Sequence, residues 1–362
     1  MIVFEFTSAE VVQTQALIRD LIRSGRGAEH PELLRDAELL CHEMPRRLRR
    51  RLLDFKHQEP VSGALLLKGW PVDERRIGPT PQHWRAIPEP ERAAPEAMLL
   101  MLVSTLLGDP IAWATQQDAH VVHHVLPIQE HEGEQLGSGS RQLLWWHTED
   151  AFSPFRPDYV TLICMRNVDG VSTTIGSLAD VRLADWQLEC LLGEHFTIKP
   201  DLSHSSVHGK GSGDHALLHA YQNVRKMMQA PRRVSVLFGN PQAPYLRLDP
   251  YFMDKVLGNP KAQLAYEELV RQIDATLRPV ALCPGDLIVI DNYRAVHGRQ
   301  PFRAHYNGRD RWLQRMLVAR DLRPSRRARN ASNDRILFVG QEAIDERLIG
   351  QALEDSNWAA AP

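Results

Sequence analysis

The stretch CPGDLIVIDNYRAVHGRQPF, Cys283 to Phe302, decides how this chain is expected to fold. Pro284-Gly285 is a turn pair. Leu287 to Ile290 is a short run of long and β-branched apolar residues closed by Asp291-Asn292, the pattern of a buried strand. A polar loop is expected next, ending in Val296-His297-Gly298-Arg299. A histidine followed by glycine can present its ring with little backbone in the way.

Working outward, YVTLICMRN, RVSVLFG and RWLQRMLVARD have the same character as LIVI, and each predicts a strand. Helical patterns dominate earlier in the chain. Thr7-Ser8-Ala9-Glu10 reads as a capping box, with Thr7 as N-cap and Glu10 at N3, so a helix should run to about Arg23. PELLRDAELLCHEMPRRLRRRLLDFKH predicts further helix, and its run Arg46 to Arg51 reads as a solvated face because Glu and Asp are interleaved nearby. GALLLKGWP predicts a buried strand, and PEAMLLMLVSTLLG an apolar helix beneath a sheet. ADWQLECLLGE and AQLAYEELVRQIDATL predict helices set between strands. Helices first, strands later and no regular alternation argue for α+β with a central β core.

Composition narrows the function. The chain has 362 residues, with 43 Lys and Arg against 45 Asp and Glu, a formal charge of -2. No global basic field favours nucleic acid as a partner. The hydrophobic fraction of 43% suits a globular protein with a substantial core. No apolar run reaches the roughly 18–20 residues that span a bilayer, so no membrane partner is expected. MIVFEFTSAEVVQTQ lacks the features of a secretory signal, which makes a cytoplasmic location the default. Cys41, Cys164, Cys190 and Cys283 are scattered, with no metal-binding or redox spacing. Oligomeric state is not legible. Asp201 to Ala216, DLSHSSVHGKGSGDHA, is polar and Gly/Ser-rich and reads as a loop or lid. Its histidines, His204, His208 and His215, have no regular metal spacing and read as surface residues.

Chemistry enters at LLWWHTEDAF, Leu143 to Phe152. On a strand end, His147 and Glu149 share a face, which puts an imidazole nitrogen and a carboxylate on one cation. Trp145 and Trp146 read as packing around that strand, and Asp150 should face away from Glu149. His-x-Glu is common by chance. It gains weight from His297, which completes two histidines and a carboxylate, and from Arg311, 14 residues after His297. An arginine pointing into a β core needs an anion, and a guanidinium captures a carboxylate bidentately. Arg315 lies four residues further on and would share that face of a regular strand.

His147-x-Glu149, then His297-Gly298-Arg299, then GRDRWLQR resemble the clavaminate synthase-like branch of the Fe(II)/2-oxoglutarate dioxygenases. More closely, they resemble that branch's amino-acid β-hydroxylases acting on arginine and asparagine. Similarity runs from about Gly63 to Arg329 and includes HTEDAFSPFRPDYVTLICMRN and VHGRQPFRAHYNGRDRWLQRMLVARDLRPSRRAR. The resemblance implies a double-stranded β-helix, or jelly roll, with helices outside it. It implies one oxygenase domain over 1–362, with a helical flank at 1–62, a core at 63–329 carrying the candidate lid 201–216, and a helix and tail at 330–362.

By the same resemblance, His147, Glu149 and His297 would bind Fe(II), with 2-oxoglutarate and O2 as co-substrates. Arg311 would pair with the distal carboxylate of 2-oxoglutarate, aided by Thr173 or Thr174. Arg315 would hold the α-carboxylate of an amino-acid substrate, and Gln116 or Gln117 would approach its α-amino group. Asp249, in PYLRLDPYFMD, would meet the substrate side chain, with Tyr251 at the next same-face position. The expected activity is hydroxylation of a free L-amino acid at Cβ or Cγ, in specialised peptide-antibiotic metabolism. A polar or cationic side chain is expected, such as arginine or a derivative; a cyclic guanidine amino acid, citrulline, lysine and asparagine stay open. So do a carrier-bound substrate, desaturation, and, from another class, a β-barrel metal hydrolase or isomerase built on the same three ligands.

Overall fold

Leu287–Asp291 forms a strand buried along its whole length. It pairs antiparallel with Ala64–Lys68 on one side and Tyr159–Arg166 on the other. The computed structural model describes residues 1–87, 89–206, 214–254 and 258–340. Among these, the sheet has eight strands. Its order is Ile2–Glu5, Ala64–Lys68, Leu287–Asp291, Tyr159–Arg166, Trp312–Ala319, Asp109–Trp113 and Ile336–Leu337, with His123–Val125 also paired to Trp312–Ala319. A second, four-stranded antiparallel sheet runs Arg278–Ala281, Ser172–Ser177, Ala295–Arg299 and Leu144–His147.

Period-two alternation decides which layer each face of the large sheet meets. Tyr159, Ile163, Met165, Leu287, Val289, Met316 and Val318 pack with helix residues such as Leu48, Leu52, Met98 and Leu102. Their neighbours Val160, Leu162, Cys164, Ile288, Ile290, Leu313 and Leu317 pack with Trp146, Ile175 and Val296 of the small sheet. Each fully buried Leu or Ile contributes roughly 1.5–3 kcal/mol relative to exposure, so a one-residue slip would reverse both faces at once. The result is three layers: helices, large sheet, small sheet. This is the mixed helix-and-sheet, α+β architecture expected.

The helical layer is assembled as the patterns predict. Thr7 and Glu10 form a reciprocal cap, and the helix Ser8–Arg23 follows. Ala94–Leu107, apolar nearly all round, is buried beneath the large sheet. Its Ser104 hydroxyl is satisfied there by the Thr161 hydroxyl at 2.8 Å. Arg46, Arg47 and Arg50 lie exposed on the helix Arg46–Gln58, while Leu48, Leu52 and Phe55 face inward.

Several expectations change. The helical pattern after Pro31 breaks into Pro31–Leu40 and Arg46–Gln58, because Pro45 cannot continue the first helix. RVSVLFG yields two short strands, Arg232–Val234 and Leu237–Phe238. Ile2–Glu5 joins the large sheet in parallel with Ala64–Lys68, and Ile336–Leu337 joins it from the other flank. His215 opens a helix, His215–Gln229. His208 and the tail from 341 onward lie outside the described residues. No described helix is long and apolar enough to cross a membrane.

Candidate active site

His297 lies within the strand Ala295–Arg299 rather than in a loop beyond the buried strand. The polar residues Asp291 to Arg294 make a tight turn, and both edges of the returning strand are paired. That pairing puts His297 directly opposite His147. Gly298 permits the close approach: a Cβ there would sit 2.6 Å from the Leu144 carbonyl oxygen and 2.9 Å from the Thr174 hydroxyl.

Glu149 reaches the two imidazoles from just beyond a strand that ends at His147. Convergence therefore comes from the chain path after the strand as much as from strand alternation. Asn292, fully buried, makes that path rigid. Its Oδ1 accepts the Glu149 N–H at 2.6 Å, and its Nδ2 donates to the carbonyls of Glu149 (3.0 Å) and Pro157 (2.8 Å). The next residue, Asp150, is left-handed at φ 49 and turns its side chain elsewhere, as expected.

The ligand atoms of His147, Glu149 and His297 lie within 4.8 Å of one another. Glu149 Oε2 is 3.2 Å from His297 Nε2 and 3.9 Å from His147 Nε2. His147 Nδ1 donates to the Trp145 carbonyl at 2.7 Å, which leaves Nε2 as the lone-pair nitrogen facing the group. Burial disfavours the charged form of Glu149, but Arg315 and the imidazoles outweigh it and hold the carboxyl well below the usual range. Burial lowers His297. One carboxylate and two imidazole nitrogens with open positions suit a divalent transition metal.

The group opens onto a cavity of about 160 Å³. Arg311 lines it, buried just before the strand Trp312–Ala319. Its Nη2 donates to Thr173 Oγ1 at 3.1 Å. Burial pushes its pKa down to about 10. Among the described residues no carboxylate pairs with it. Thr173 lines the cavity and Thr174 does not, because adjacent strand residues point to opposite faces. Of the two threonines, only Thr173 is placed to meet an anion there. Arg299 also lines the cavity, buried, with its Nη1 and Nη2 donating to the carbonyls of Ser140, Gln142 and Gln300.

Arg315, which also lines the cavity, donates through Nη1 to Glu149 Oε1 and through Nη2 to His123 Nδ1. Asp249 is buried, accepts the N–H groups of Tyr251 (3.1 Å) and Phe252 (3.2 Å), and is pushed up to about 6 by burial. Tyr251 lines the cavity as an exposed residue. Gln116 Nε2 donates to Ser203 Oγ at 2.6 Å, while its Oε1 is buried without a partner and so offers an acceptor. Gln117 also lines the cavity, but its amide is closed on the backbone of His124, at 3.0 and 2.9 Å. Gln117, Asp118 and Ala119 all have positive φ, an uncommon left-handed turn without glycine that presents these side chains.

Sequence reasoning missed four residues here. His204, expected at the surface, is completely buried. It bonds Asp150 Oδ1 at 2.9 Å and Thr115 Oγ1 at 2.7 Å, and Trp113 Nε1 donates to the other Asp150 oxygen at 2.6 Å. This network carries Asp201 and Ser203 to the cavity wall. Asp201, Asn292 and His123 are the others; Asp201 is a local cap, accepting the Ser203 N–H at 2.8 Å, whereas Asn292 and His123 act through partners remote in sequence. Trp146 is core, as expected, but Trp145 is exposed and lines the cavity.

Comparison with known proteins follows the same lines. Residues 100–317 match the family described as taurine catabolism dioxygenase TauD, TfdA family. The chain is 43% identical over 344 residues to an enduracididine beta-hydroxylase from Streptomyces hygroscopicus, covering 93% of this chain and 100% of that protein. It is 38% identical over 338 residues to an L-ornithine/L-arginine 3-hydroxylase from Catenulispora acidiphila, covering 92% of this chain and 98% of that one. A crystal structure of the non-heme iron oxygenase OrfP with Fe, succinate and (3S)-hydroxy-L-Arg superposes with a TM-score of 0.87 at 40% identity. That match covers 93% of this chain and 100% of OrfP. With a family match over most of its length and relatives this close, the chain belongs to the taurine catabolism dioxygenase TauD, TfdA family.

Proposed function

We propose that this protein is an Fe(II)- and 2-oxoglutarate-dependent hydroxylase of a free L-amino acid, acting at Cβ or Cγ of arginine or a derivative with a cationic side chain. The observation that carries this reading is the set of charges that meet in one cavity. Arg311, a buried guanidinium with no carboxylate partner among the described residues, lines it together with the His147–Glu149–His297 group and two acids, Asp249 and Asp201. The names of the relatives, hydroxylases of enduracididine and of ornithine and arginine, support the same substrate class. The two facing sheets are read as a double-stranded β-helix.

In this reading His147, Glu149 and His297 hold Fe(II). Arg311 and Thr173 hold the distal carboxylate of 2-oxoglutarate. When bound, the metal with 2-oxoglutarate and O2 supplies the oxidation that replaces a C–H hydrogen by hydroxyl and releases succinate and CO2. The protein's part is positioning and exclusion of competing reactions. Arg315 takes the α-carboxylate, Gln116 Oε1 accepts from the α-ammonium, and Asp249 with Asp201 faces the cationic end. Held by these residues at both its backbone and its side-chain groups, the substrate would present its Cβ and Cγ to the His147–Glu149–His297 group.

Anaerobic addition of Fe(II) and 2-oxoglutarate is the test. A metal-to-ligand charge-transfer band in the parent, absent in Arg311→Ala, is expected. Succinate release under O2 should then be stimulated by arginine-like free amino acids. No band in the parent would rule out the oxygenase.

A further inference from the structure

His123 opens the strand His123–Val125 and stands directly opposite Arg315 in the antiparallel register with Trp312–Ala319. Cross-strand partners share a face of the sheet, so both side chains point towards the cavity that they line. His123 is buried, and its Nδ1 lies 2.7 Å from Arg315 Nη2.

That contact assigns the tautomer. A guanidinium only donates, so His123 Nδ1 must accept, and in the neutral ring Nε2 carries the proton. Burial, and then the charge of Arg315, lower the His123 pKa well below its ordinary value. The ring is therefore an uncharged acceptor. An aspartate in its place would anchor the same guanidinium but neutralise it, weakening its pull on any other anion. A protonated histidine could not accept at all.

Arg315 also donates to Glu149 Oε1, the carboxylate oxygen not facing the imidazoles. Its remaining donors include a buried Nε with no partner. Resting on the reading of a free amino-acid substrate, we propose that His123 is a positioning residue. It fixes the Arg315 guanidinium without quenching its charge, so that one part braces Glu149 while the remaining donors meet the substrate α-carboxylate. Selection for a free α-carboxylate over an amide or thioester is then set in part by a side chain that acts through Arg315.

The test compares His123→Asn, His123→Asp and His123→Phe in the full chain with Fe(II). Asn places a neutral acceptor near the position of Nδ1, and Asp is its charged isostere. The readouts are KM and kcat for the preferred amino acid and for its α-carboxamide, with the 2-oxoglutarate charge-transfer band as a separate check. Expected are a KM within about threefold of the parent for Asn, and a rise of tenfold or more for Asp and Phe, a tenfold change being about 1.4 kcal/mol. The acid-over-amide preference should shrink in Asp and Phe, with the band retained. Should Phe not fold, the Asn–Asp pair still decides, because the two differ in charge and hardly in shape. Equal KM and equal acid preference in Asn and Asp would overturn the role of His123. Absence of the band, or of amino-acid turnover in the parent, would instead overturn the oxygenase reading.

Discussion

His147 and His297 stand opposite each other on neighbouring antiparallel strands, with ring centroids 4.8 Å apart. They are 150 residues apart in the chain, and only the register of the small sheet brings them together. The glycine after His297 makes that register possible. Gly298→Ala would drive a Cβ to 2.6 Å from the Leu144 carbonyl oxygen and 3.0 Å from Trp146 Cα, both backbone atoms that cannot move independently of the strand. A cost of about 1–3 kcal/mol is expected, read by chemical denaturation, together with weaker anaerobic Fe(II) binding by calorimetry. Unchanged metal affinity would mean that strand spacing does not set the ligand geometry.

Arg311 and Thr173 should be separable from Thr174. Removing one partner of a buried charged pair costs about 2–5 kcal/mol, so Arg311→Met should weaken 2-oxoglutarate binding at least about thirtyfold. Thr173→Val removes one hydrogen bond, about 1 kcal/mol or roughly fivefold. Thr174→Val should bind 2-oxoglutarate like the parent, since its side chain is on the other face. Titration of the charge-transfer band ranks the three, and a larger loss at Thr174 than at Thr173 would contradict the assignment.

His204→Ala removes the histidine that ties residues 201–204 to Asp150. Breaking a buried pair in this way costs about 3–5 kcal/mol, seen as a lower Tm. Asp201 and Ser203 would lose their placement, so KM for the amino acid should rise while 2-oxoglutarate affinity holds, because the bond between Arg311 and Thr173 is not part of that network. If both affinities fall together, the network supports the whole site rather than the substrate end.

Asp249 gives a pH dependence of known sign. Burial raises its pKa from 3.8 to about 6. A cationic side chain binds the ionised form, so KM should fall as pH rises through about 6, and Asp249→Asn should flatten that profile. A neutral analogue such as citrulline should not follow it. Stability runs the other way: folding favours the protonated acid, and this contribution is full below about pH 4 and lost as pH rises past about 6. Asp249→Asn should therefore be at least as stable as the parent at pH 7 while binding the cationic substrate less well.

Local pattern alone was enough for much of the fold. The capping box at Thr7, the apolar helix after Ala94, and the strands at Tyr159, Leu287 and Trp312 follow from caps, periodicity and turn residues. The three-residue order His147, Glu149, His297 and the two arginines beyond it were also legible, because each is a chemical type at a spacing along the chain. What only the tertiary structure decided depends on partners distant in sequence. Thr173 was separated from Thr174 by which face of a strand meets the cavity. Gln116 was separated from Gln117 by which amide is already satisfied. His204 turned from a loop histidine into a buried tie because Asp150, 54 residues away, waits for it. His123 and Asn292 do their work through Arg315 and Glu149, contacts made by sheet register and a turn. A linear sequence carries the donors and acceptors; only the folded chain decides which of them are spent on each other and which are left for a ligand.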